Sequence, residues 1–264
     1  MTNRMPCETA CLADIGAREE QQDRVEVFAD EMALLIVLAD GMGGHEGGAM
    51  AAQVVIDVAR EQFDAFIDGK TPLQLTDIVY CAHERIKITG AELGLSPHST
   101  CVLLHLTDTT ATWAHVGDSR LYHFDNGRLT ERTIDHSMVE LMRLQGRLSE
   151  EEMKVHPDQN RLFEALGGNN LPEVETGYAD NSENDGFLLA SDGLWENVSD
   201  SELEAVFKAQ NLDEALRGLV ESAKTKGEPE CDNISVAVAR HRRATPSLGL
   251  RISRAFTRFR EVWV

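Results

Sequence analysis

Two neighbouring stretches early in the chain carry a strand pattern. "RVEVFAD" (24–30) and "MALLIVLA" (32–39) are rich in β-branched and aliphatic residues and are separated by a short polar break, so two adjacent strands are expected, the second a buried one. A glycine cluster follows. Ala52, Ile56, Ala59, Phe63 and Phe66 then recur at the spacing of one helical face, which predicts an amphipathic helix beginning near Gly48. A second helix is expected over about 73–93. "TCVLLHLTD", "TATWAHVGD" and "RLYHFDNGRLTER" read as three or four strands, with Asp125-Asn126-Gly127 as a hairpin turn. Such short connections imply antiparallel pairing. Residues 137–168 have a polar, helical texture broken by Gly146 and Pro157, and Ser149 to Glu152 fits a capping box. "EVETGYAD" and "DGFLLAS" read as strands, "DSELEAVFKAQ" and "LDEALRGLVESAK" as helices, and "NISVAVARH" as a closing strand. Without strict βα alternation, this order favours α+β layers with mainly antiparallel sheets.

Composition narrows the class. At 264 residues and 42% hydrophobic content the chain can bury a substantial core, and one domain plus a tail is expected. The longest apolar run, Met32 to Ala39, is too short to span a bilayer, and the first twenty residues hold no signal-peptide core. A cytoplasmic location is therefore expected. The five cysteines form no paired CxxC knuckles, so neither a disulfide framework nor a zinc ribbon is indicated. Cys7 and Cys11 read as reduced surface or edge thiols. A formal net charge of -20 disfavours nucleic acid as a partner, and clustered carboxylates attract hard cations.

That charge is unevenly placed. From His241 onward six arginines stand against one acid, Glu261. "RHRRATPSLG" reads as a linker between a body of residues 1–240 and a basic tail, 241–264. In the tail Ile252, Phe256, Phe259 and Trp263 fall on one helical face. A basic amphipathic helix can lie on an anionic membrane or dock in a partner groove.

Candidate chemistry sits at strand ends. Asp40, Asp118 and Asp192 each follow an apolar run and precede small or turn residues, and Asp232 opens the last one. A single Asp-Gly step is a common turn. Four aspartates converging on one sheet edge would repel one another unless a cation neutralised them. Oxygen ligands without a Cys or His cluster select Mg²⁺ or Mn²⁺ over zinc, and glycine at 41 lets its carbonyl approach an ion.

"REEQQD" (18–23), "DGMGGH" (40–45), "GDSR" (117–120), "DH" (135–136), "SDGLW" (191–195) and "DN" (232–233) occur in the order and with the spacing of the metal-dependent type 2C (PPM) serine/threonine phosphatases. The chain resembles the compact bacterial members of that family over about residues 8–240. The resemblance implies a four-layer α-β-β-α sandwich of two antiparallel sheets with flanking helices, and a flap over about 137–168. It implies hydrolysis of phosphoserine and phosphothreonine in proteins by water activated at two Mn²⁺ or Mg²⁺ ions. Asp40 would bridge the ions, with the Gly41 carbonyl on one and Asp192 and Asp232 on the other; Asp118 with Asp192 resembles a third ion site. Arg18 matches the phosphate-binding arginine, Asp23 an acid that touches ion-bound water, and His45 the general acid for the leaving oxygen. Gln22 stands where glutamate is frequent and adds no negative charge. His136 is a weaker candidate. Phosphorylated proteins, with a cognate kinase or its targets among them, are the implied partners in bacterial signalling.

Other classes fit less well. No Cys-x5-Arg loop and no GxxxxGK[ST] occurs, which disfavours a cysteine-based phosphatase and a P-loop enzyme. The remaining alternative is a catalytically weak phosphoprotein-binding or regulatory module on the same fold.

Overall fold

The computed structural model describes residues 7–43 and 45–241; of the tail expected over 241–264, His241 ends the last described strand and 242–264 lie outside the described residues. Two five-stranded antiparallel sheets make up the body. One has the order β1 (Cys7–Asp14), β12 (Ile234–His241), β11 (Asp185–Ala190), β8 (Arg120–Asp125), β9 (Arg128–Arg132). The other has the order β10 (Glu175–Asp180), β7 (Thr110–Val116), β6 (Cys101–Thr107), β3 (Ala33–Ala39), β2 (Arg24–Ala29). A small pair, β4 (Gly41–Met42) and β5 (His98–Ser99), stands apart.

The two-residue period of a strand explains the layering. Leu34, Ile36 and Leu38 of β3 and Leu104 of β6 face Phe187 and Leu189 of β11 and Ala237 of β12, forming a core between the sheets. The alternate residues Leu35, Val37 and Leu103 turn outward under α1 (His45–Ile67) and α2 (Leu75–Leu93). On the opposite outer face Leu188, Val236 and Val238 pack under α5 (Asp192–Trp195), α6 (Asp200–Lys208) and α7 (Leu212–Gly227). The result is the four-layer α-β-β-α sandwich. Because β3 is covered on both faces, every one of its residues is buried, which accounts for its unbroken apolar sequence.

Several local expectations are met and some are corrected. Asn126 (φ 52°) and Gly127 (φ 69°) take left-handed conformations at the β8–β9 turn, as an Asn-Gly hairpin requires. Ser149 and Glu152 form a capping box opening α4 (Glu150–Met153). Cys7 and Cys11 lie as thiols on the edge strand β1, with Cys7 Sγ 3.4 Å from the Arg240 carbonyl. Helix α1, however, begins at His45, before the expected Gly48. Segment 137–168 is helical only in α3 (Met138–Leu144) and α4, and its remainder forms turns tied down by bridges from Leu162 to Ser137 and from Leu166 to Ser99. Among the described residues no helix is long and apolar enough to cross a membrane.

Candidate metal centre

Strand direction decides where the aspartates meet. β3 and β7 flank β6 and both run antiparallel to it, so their C-terminal ends share one edge and deliver Asp40 and Asp118 there. β11 and β12 are antiparallel, so the end of one lies beside the start of the other. Asp192 therefore has to follow its strand and Asp232 to precede its own. All four line one cleft of about 510 Å³, with Arg18, Gln22 and Gly41 also in its wall.

Short polar contacts fix each loop. The Asp40 N–H donates to Thr100 Oγ1 at 2.9 Å, and the Thr100 N–H donates back to the Asp40 carbonyl at 2.8 Å. Thr100 Oγ1 is also 2.7 Å from the Ser119 hydroxyl, which couples the Asp40 and Asp118 loops. Trp195 Nε1 donates to the Asp118 carbonyl at 3.0 Å, while the Arg120 guanidinium stacks 3.4 Å over the same indole and forks onto both Asp135 oxygens. Asn233 binds loop 15–22 to the last strand: its Oδ1 accepts from Gln22 N–H at 2.7 Å, and its Nδ2 donates to the carbonyls of Ile15 and Glu20. Gly41 has no room for a side chain, because a Cβ would stand 2.0 Å from the Gly48 carbonyl in the first turns of α1.

The cleft is electrostatically unfinished. Burial, then repulsion from Asp23 and Asp192, holds the Asp40 carboxyl well above the usual range. Burial, then Asp118 and Asp232, does the same to Asp192. Asp118 is pushed up to about 7 by burial and by Asp135, and Asp23 up to about 7 by burial against the pull of the Ser191 hydroxyl. Like charges about 4 Å apart repel by about 4 kcal/mol at an effective dielectric near 20. A carboxylate set in this state fits a divalent cation, and an all-oxygen donor set fits Mg²⁺ or Mn²⁺. Among the described residues that line the cleft, Arg18 alone supplies a cation, and its Nη2 pairs with Asp232 Oδ2 at 2.7 Å.

Not every candidate lines this space. Asp23 stands behind it, buried, accepting at Oδ2 from Ser191 Oγ at 2.7 Å. His45 opens α1, but its side chain lies outside the described residues. His136 lies off the cleft, stacked on Phe163 and in tilted ring contact with His115. Thr100, Ser191, Asn233 and Trp195 are positioning groups that sequence reasoning did not single out. Ser191, Trp195 and Asn233 sit beside conspicuous aspartates in "SDGLW" and "DN", which offered a signal; Thr100 had none.

The profile of the family described as Protein phosphatase 2C matches residues 14–228. Protein phosphatase PhpP of Streptococcus pneumoniae is 30% identical over 240 residues, covering 88% of this chain and 96% of that protein. Serine/threonine protein phosphatase PstP of Mycobacterium tuberculosis is 31% identical over 212 residues, which are 78% of this chain and 40% of PstP. A crystal structure of the PstP catalytic domain in complex with two manganese ions superposes with a TM-score of 0.73 at 30% identity, covering 89% of this chain and 97% of that one. The chain belongs to the protein phosphatase 2C family of serine/threonine phosphatases.

Proposed function

We propose that the chain hydrolyses phosphoserine and phosphothreonine in proteins with two Mn²⁺ or Mg²⁺ ions held by Asp40, the Gly41 carbonyl, Asp192 and Asp232, and a third by Asp118 with Asp192. The observation that carries this reading is the meeting of four aspartates from four strand ends in one cleft with an arginine. The manganese-bound PstP structure supports the two-ion count. When bound, such ions act as Lewis acids that lower the pKa of a shared water and polarise phosphoryl oxygens.

The chain's own groups supply the rest. Arg18 offers a guanidinium fork that matches two phosphoryl oxygens and stabilises their charge. Its present partner is the carboxylate of Asp232, so ion and phosphate binding would separate the pair. Asp23, held by Ser191, orients the attacking water. His45 at the start of α1 donates a proton to the leaving serine or threonine oxygen, for which an imidazole titrating near neutrality is suited. No covalent phosphoenzyme is formed.

Residues 1–240 make up the catalytic domain, with 137–168 as its flap beside the cleft. Phosphorylated proteins are the substrates, with a cognate serine/threonine kinase or its targets among them, in cytoplasmic bacterial signalling. The basic segment 241–264 is assigned to contact with a membrane surface or a partner protein.

Hydrolysis of a phosphothreonine peptide with Mn²⁺ and with EDTA, for wild type and Asp192→Ala, tests the mechanism. Turnover should need the ion and fall about a hundredfold or more in the variant, since even groups behind metal ligands are worth 10–100-fold. Metal-independent turnover, or full activity in the variant, would overturn it. Peptide binding without turnover in the wild type would favour the binding-module alternative.

A further inference from the structure

We infer that His136 is a positioning residue that sets the Asp118 loop for ion binding and links it to segment 137–168. The inference rests on the reading of Asp118 as an ion ligand. Gly117, the residue before Asp118, is bonded to His136 on both of its backbone sides. The His136 N–H donates to the Gly117 carbonyl at 2.9 Å, and the Gly117 N–H donates to His136 Nδ1 at 3.3 Å. The two contacts hold the peptide units on either side of the Gly117 Cα, and so fix its φ and ψ. Gly117 cannot hold itself: it has φ +102°, and a Cβ would lie 2.7 Å from the Thr100 side chain. Trp195 grips the Asp118 carbonyl from the other side, so His136 completes the brace.

The ring is itself oriented. Nδ1 can accept from Gly117 only while it carries no proton, so a neutral ring must be protonated at Nε2. Glu175 favours that tautomer, with Oε1 3.5 Å from Nε2. It reaches this position because it lies opposite His115 in the β10–β7 register. Burial, followed by His115, lowers the His136 pKa and keeps the ring neutral.

His115, His136 and Glu175 lie within 4.8 Å of one another, close enough to invite a metal reading. Their hydrogen bonds oppose it. Both Nε2 atoms near Glu175 carry protons: His115 Nε2, 3.9 Å from Glu175, donates to the Ile134 carbonyl at 2.9 Å, and the His136 tautomer turns a proton, not a lone pair, toward Glu175. The cluster sets a tautomer.

The same residue meets the returning limb of segment 137–168. The Phe163 N–H donates to the His136 carbonyl at 2.9 Å, its ring stacks on the imidazole at 5.6 Å, and Leu162 bridges to Ser137. Movement of that limb pulls on His136 and, through two hydrogen bonds, on the peptides either side of Gly117, the second of which leads into Asp118.

Counting Mn²⁺ ions bound per full-length chain by calorimetry, with kcat and KM on a phosphothreonine peptide, tests this in wild type, H136F, H136N and D118A. H136F keeps a stacking ring without an acceptor; the asparagine carbonyl of H136N restores one. H136F should lose the ion that D118A loses, with kcat down roughly tenfold and KM little changed, and H136N should recover most of both. Wild-type stoichiometry and kcat in H136F would overturn the inference, as would H136N no better than H136F at equal melting temperature. If D118A keeps every ion, the Asp118 reading has failed; if D118A loses one and H136F does not, the role of His136 has failed. Should H136F not fold, E175A serves instead: it alters a half-exposed edge-strand residue and should weaken binding of the same ion, and unchanged binding counts against the inference.

Discussion

Thr100 serves two candidate ligands through one hydroxyl, accepting from the Asp40 N–H and pairing with Ser119 next to Asp118. Valine has nearly the same shape and neither hydrogen bond. Thr100→Val should therefore leave a buried N–H and a buried hydroxyl without partners, at about 1–3 kcal/mol each. A fall in melting temperature together with Mn²⁺ affinity weakened about tenfold is expected by thermal melts and calorimetry; unchanged affinity would show that the Asp40 loop holds itself. The same residue marks where sequence reading stops. The aspartates were legible because an acid after an apolar run, followed by turn residues, is a local pattern. Thr100, Ser191 and Asn233 act on partners 60, 168 and 211 positions away, and nothing in the sequence next to them points to those partners.

Elements were legible where one force dominated. The apolar run of β3, the helical face of α1, the Asn-Gly hairpin and the Ser149 capping box are each set by nearby residues. β1, "CETACLAD", was missed because its alanines and acids have low strand propensity and it is an edge strand held by pairing with β12. α5 is four residues long and looks like an Asp-Gly turn. Segment 154–168 looked helical from its polarity but is held as turns by distant bridges to Ser99 and Ser137. Two helical glycines give a test of context against propensity. Glycine to alanine in an exposed helix stabilises by about 0.5–1 kcal/mol. Gly218→Ala in α7 meets nothing within 4 Å and should show that gain. Gly48→Ala in α1 would put a Cβ 2.6 Å from the Gly41 carbonyl, so the sign should reverse, with ion affinity lost as the Gly41 loop is displaced. Equal melting shifts for the two variants would refute the packing argument.

Across the whole molecule the crowded acids link stability to pH. In ion-free protein burial pushes Asp23 and Asp118 up to about 7 from the ordinary aspartate value of 3.8, so the folded state holds protons that the unfolded chain has released. The stability they contribute is complete below about pH 4 and is lost as pH rises through about 7. Melting temperature in EDTA should accordingly fall between pH 5 and pH 8. With saturating Mn²⁺ the decline should shrink or reverse, because ion binding favours the ionised folded form; parallel curves in EDTA and Mn²⁺ would contradict the cleft electrostatics. Each sheet contributes two of the four aspartates, and Asp232 belongs to the turn before β12, the strand that pairs with β1. A chain emerging from the ribosome therefore carries three of the four acids long before it can use them. On the proposed mechanism the cleft is complete only when β12 pairs between β1 and β11, so a chain truncated before Asp232 should show no Mn²⁺-dependent turnover.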